Sequence, residues 1–215
     1  MQPLSYVRDK LIKAHKKRER NYYLANIFGL ITFLLVTFFL APLIHDLFHL
    51  IVLKIFNCEY TFYFSYNWDR KFHGEIQTFC DLSTGKAIIM LGAGIFGTSF
   101  ISLILFFFSW FYAKLGKLPL SNFLIYPALG FFTDIFFYFF MIKEGDILGI
   151  LKTINRTDLI PIVPYIGLFL FTILILYLYI YMKEILRDYS LIKEKIKEID
   201  DFIISSSKEM EKERI

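Results

Sequence analysis

Lysine and arginine are absent from four long stretches of this 215-residue chain. The stretches run from Ile27 to Leu53, Ala87 to Ala113, Leu120 to Ile142 and Leu159 to Met182, and their only acids are Asp46 and Asp134. A helix needs about 20 apolar residues to cross a bilayer, and each stretch meets that length. With 56% apolar and 20% aromatic residues, a soluble domain of ordinary composition is excluded. The expected class is an all-α polytopic membrane protein of about four spans. The first stretch also lacks a small-residue cleavage site and continues through Pro42, so it is not read as a cleavable signal peptide.

Cysteine is scarce as well. Cys58 and Cys80 both lie between the first two spans, where they either face each other across a hairpin or stay as two unpaired thiols. A third absence settles a false motif. Gly92-Ala93-Gly94-Ile95-Phe96-Gly97 matches G-x-G-x-x-G, but no acid lies about 20 residues on, where Lys114 and Lys117 stand instead. The dinucleotide reading also needs a preceding strand and is discarded. Gly92, Gly94, Gly97, Ser99 and Ser102 instead suit close packing between membrane helices.

The charges that are present flank the spans. Residues 1–22 form a basic, partly amphipathic lead with Arg8, Lys10, Lys13, Lys16, Lys17, Arg18 and Arg20. Such a cluster favours a cytoplasmic N-terminus and attraction to anionic lipid. Four spans within the membrane domain, residues 23–182, return the C-terminus to the same side. The basic residues need no nucleic-acid partner. In the tail, residues 183–215, Ile185, Tyr189, Ile192, Ile196, Ile199 and Ile203 recur at spacings of four and three. That heptad seam could pair with a second copy, dock on the N-terminal helix, or lie on the lipid surface.

Between the first two spans, Tyr60, Phe62, Phe64 and Tyr66 recur at a period of two, which reads as a strand. A polar turn over Asn67 to Gly74 leads to a second candidate strand, Glu75 to Cys80. The expectation is a short β-hairpin at the membrane surface, about 58–80. Its free edge could accept an extended peptide.

The chemistry-bearing motif is His45-Asp46-Leu47-Phe48-His49. Residues four apart share a helix face, so the two histidines can hold one cation, with Asp46 beside them. This is the H-E-x-x-H zinc helix with Asp for Glu. Pro42 would kink the helix just before it. Polar groups inside a membrane are costly and face an interior or a cavity. The bland alternative is a helix-packing cluster of hydrogen-bonded imidazoles.

Two histidines need a third protein ligand to make a catalytic zinc site. The candidates are Asp134, Asp146, Glu144 and His73. Asp146 is preferred because Gly145 could bend it back toward the bundle. Asp134, mid-span, is an alternative ligand or an acceptor that orients one.

In this order of features the chain resembles the site-2 protease family of intramembrane zinc metalloproteases, over roughly residues 27–152. The family's first core helix carries H-E-x-x-H. A β-rich stretch, a Gly-rich helix and a third helix with a zinc-binding aspartate follow. The resemblance implies Zn2+ as cofactor, His45, His49 and Asp146 as ligands, Asp46 as catalytic acid/base, and a membrane-spanning protein as substrate. Here Asp replaces Glu, and Gly-Asp stands where more familiar members have Asp-Gly. The shorter carboxylate is drawn back by about 1.5 Å. An inactive homologue serving as membrane scaffold or partner subunit is therefore the competing expectation. An aspartyl protease using Asp134 and Asp146 ranks last, because Lys143 replaces the first glycine of G-x-G-D. Histidines one turn apart cannot bind opposite faces of one haem iron.

Overall fold

The computed structural model describes residues 4–67, 71–140 and 145–212, with side chains at 4–5, 64–67, 71–74, 188–189, 192 and 206–212 excepted. The first span belongs to a helical rod in two parts, α1 (Leu4–Leu35) and α2 (Ala41–Ile55), joined by a π-helical turn at Val36–Leu40. Proline has no N–H to donate four residues back, and the ladder re-registers just before Pro42. Ala41 N–H donates to the carbonyl of Val36, five residues earlier. A π turn is a recognised device for re-aiming a helix face. Here it sets the direction of the face carrying Ala41, His45, His49 and Leu53, all buried.

After α2 come two antiparallel strands, β1 (Tyr60–Asn67) and β2 (Lys71–Thr78). They pair in register from Tyr60 with Thr78 to Asn67 with Lys71. Phe79 N–H donates to Glu59 carbonyl, and the next pair outward is Cys58 opposite Cys80. These are joined as a disulfide with Cα atoms 5.5 Å apart, which resolves the open question about the two thiols. The bond closes a loop with a sequence separation of 22 and ties the end of α2 to the start of α3. For a loop of that length, Cys58→Ser/Cys80→Ser is expected to lower unfolding free energy by about 3 kcal/mol. Chemical unfolding in detergent micelles, with and without reductant, measures it.

The rest of the chain is helical: α3 (Thr84–Lys114), α4 (Leu118–Phe140), a short α5 (Asp146–Thr153), a 3-10 turn (Thr157–Ile162) and α6 (Val163–Lys212). Among the described residues, four helices are long and apolar enough to cross a membrane. The fold is an all-α polytopic bundle carrying one short hairpin. Its outer surface is apolar, with Phe96, Phe169 and Leu103 among many exposed large side chains. Water would disfavour such a surface and lipid accepts it.

Inside the bundle, polar side chains join the helices. Ser102 Oγ donates to Ala128 carbonyl at 2.9 Å. Ser121 Oγ and Ser109 Oγ each donate to the other's carbonyl. Asn122 and Tyr126 both donate to Asn26 Oδ1 at 2.7 Å. Such bonds supply specificity where lipid offers no hydrophobic drive between helices. Residues 22 and 183 fall within α1 and α6, so each charged segment continues the helix of its neighbouring span. The tail docks on the basic lead through an ion pair between Arg8 and Asp200. Of the heptad positions, Ile185 is buried and Ile196, Ile199 and Ile203 are half-buried. The side chains of Tyr189 and Ile192 lie outside the described ones.

Candidate metal centre

Four helix segments meet at the hairpin end of the bundle. His49 and His45 stand six and ten residues before the end of α2, about 9 and 15 Å at 1.5 Å per residue. Against an apolar slab of about 30 Å, such distances run from the hairpin side to about the midplane. Asp146 opens α5, which follows α4 after a turn through Gly145 at φ +126° and ψ −176°. Only glycine occupies that region without strain. The turn sends Asp146 back under the bundle, and Gly149 seats α5 against Leu91 of α3.

His45 Nε2 lies 2.7 Å and His49 Nε2 3.1 Å from the same atom, Oδ2 of Asp146. One ligand atom from each of these residues lies within 4.8 Å of the others, so the group could hold a metal ion. The opposite nitrogens are occupied. His49 Nδ1 donates to Met90 carbonyl at 2.6 Å, and His45 Nδ1 donates to Asp134 Oδ2 at 2.9 Å. A carbonyl or carboxylate on the outer nitrogen is the usual support of a metal-bound histidine, because it fixes the tautomer and the ring plane.

That pattern has a consequence for charge. Met90 carbonyl can only accept, so Nδ1 of His49 carries the proton. If the imidazoles are neutral, both Nε2 atoms turn lone pairs toward an oxygen that also holds lone pairs. A proton relieves one such pair, whereas a cation at the centre satisfies all three atoms. Two imidazole nitrogens and one carboxylate oxygen are thus a donor set that could hold a metal ion.

Two further contacts hold His45. Tyr138 stacks on its imidazole with ring centres 4.6 Å apart and planes within 3°. On the other side is Gly94 of α3, where an added Cβ would collide with three atoms of the ring. One turn on, a Cβ at Gly97 would strike Phe48. Two glycines of the false nucleotide motif, Gly94 and Gly97, are thus the surface on which the histidine helix rests.

Of the residues singled out from sequence, the structure brings His45, His49 and Asp146 together and sets Asp134 behind His45. Asp46 is buried, at 9% exposure, but is not one of the three grouped ligands. Glu144 and the side chain of His73 lie outside the described ones. Sequence reasoning missed Tyr138 and the carbonyl of Met90. Tyr138 was within reach, since it follows Asp134 by one helical turn and so shares its face. A main-chain carbonyl leaves no sequence signal. No protein-family model, no curated protein and no solved structure matches this chain.

Proposed function

We propose that this chain is an intramembrane zinc metalloprotease, similar in its parts to the site-2 protease family, that cuts a membrane-spanning peptide. The observation that carries this reading is the convergence of two oriented imidazole nitrogens on one carboxylate oxygen inside an apolar bundle. His45, His49 and Asp146 would hold the ion, three protein ligands being the usual set of a catalytic site. A zinc ion held there would lower the pKa of water and polarise a carbonyl.

The chain's own groups supply the rest. Asp46, next to His45 on α2, accepts the proton from the attacking water and returns it to the leaving amine. The reach required is about 2.6–3.2 Å, directly or through one water. Asp134 keeps His45 in the tautomer that presents Nε2. The substrate enters locally unwound, because a helix keeps its carbonyls bonded internally. The edge of the hairpin receives that strand by main-chain pairing. The basic lead favours a cytoplasmic side for both termini, and the hairpin, its disulfide and the metal centre would then lie toward the outer face.

A non-cleaving homologue, acting as a membrane scaffold or paired through its tail, is the second reading. The short arm of Asp46 favours it. Cleavage of a fluorogenic transmembrane peptide in liposomes separates the two. The protease reading expects zinc-dependent cutting, a drop of about 10²–10⁴ in rate for Asp46→Asn, and retained cutting for Asp46→Glu. Asp46→Asn cutting at the parent rate would remove Asp46 from the chemistry. Bound zinc with no cutting of any peptide tried would leave the scaffold.

A further inference from the structure

We propose that the cleft between α3 and α6 binds one phospholipid with an anionic headgroup, at the end of the bundle opposite the metal centre. Both helices lean on α4 and touch each other little, which opens a wedge floored by Phe132 and Ile135. Its volume is about 580 Å³, within the range of about 300–1,000 Å³ usual for a small ligand. A transmembrane helix does not fit inside. A cylinder about 10 Å wide and 30 Å long occupies on the order of 2,000 Å³.

The cleft's length also matches a lipid tail. Along α3 the lining runs from Ser99 to Lys114, and along α6 from Leu170 to Glu184. At 1.5 Å per residue each wall is about 21–22 Å long. The hydrocarbon of one leaflet is about 15 Å deep, so a tail and the start of a headgroup are spanned. The wall is apolar because its hydroxyls turn away into the bundle. Ser102 donates to Ala128 carbonyl, Tyr177 to Phe106 carbonyl, and Tyr181 bonds Ser121.

Charge selects the headgroup. At the mouth, Lys114 pairs with Glu184 at 2.8 Å, and Arg187 shares the same carboxylate. Two cations therefore divide one anion at the mouth. The excess is positive, and each such cation near an anionic surface favours binding.

Native mass spectrometry of the full chain tests this, after exchange into nanodiscs of phosphatidylglycerol or of phosphatidylcholine. The expected result is one retained phosphatidylglycerol per chain, preferred about tenfold or more over phosphatidylcholine. Lys114→Ala/Arg187→Ala should abolish the preference. Leu103→Trp/Ile173→Trp alters two exposed rim positions on opposite walls and should abolish retention. Equal retention of both lipids by the parent chain, which requires no variant to fold, would overturn the proposal. So would unchanged retention in the rim variant. A photoreactive group at Leu103 should label phospholipid, and labelling of a co-reconstituted transmembrane peptide instead would also refute it.

Discussion

Gly94→Ala is expected to weaken zinc binding by about 100-fold or more, although residue 94 supplies no ligand atom. The added methyl would collide with the imidazole of His45. That ring has nowhere to go. Tyr138 covers its other face at 4.6 Å, Asp134 holds one nitrogen, and Asp146 faces the other. Either the ring turns and loses its aim, or α2 and α3 separate. Losing a support for a metal-bound histidine alone costs about 10–100-fold, and here the ligand itself is displaced. Gly92→Ala is the control on the same helix. Its methyl meets only Phe96, at an ordinary 3.6 Å, so zinc affinity should not change. Competition against a chromogenic chelator reads both variants. Equal affinity in Gly94→Ala and the parent would show that His45 does not bind the ion in this orientation.

The second large effect separates the two aspartates. Asp146→Ala removes a ligand and should lower affinity about 1,000-fold or more, equivalent to about 4 kcal/mol. Asp134→Ala removes only the acceptor behind His45, and the expected loss is about 10–100-fold. Tyr138→Ala, which uncovers the ring without touching either nitrogen, should cost less than Asp146→Ala. The order is the test, because the two aspartates occupy opposite edges of the same imidazole. A larger loss in Asp134→Ala than in Asp146→Ala would exchange their roles.

The four helices were legible because span length in an apolar medium is a matter of counting residues. The histidine pair was legible for a similar local reason, since a spacing of four defines one face. Asp146 could be singled out because Gly145 permits a bend that no other residue takes easily. What decides between Asp134 and Asp146 is not local. It depends on the rotation of α2 after the π turn at Val36–Leu40 and on how α4 sits against it. Gly94 was readable as a packing glycine, but its partner lies 49 positions away on another helix, beyond the reach of sequence spacing. The cysteines remained ambiguous until the strand register placed Cys58 opposite Cys80. The boundary drawn at residue 183 marked a change of charge. No glycine or proline follows Gly167 in α6, so nothing stops the helix there.

The central claim is that His45, His49 and Asp146 form a metal centre. The most direct measurement is zinc per chain in detergent-purified protein, set beside a His45→Ala/His49→Ala variant that elutes as the same folded species. The account predicts about one zinc per parent chain and none in the variant. A parent chain that holds no zinc after reconstitution, or a variant that holds as much as the parent, would contradict it.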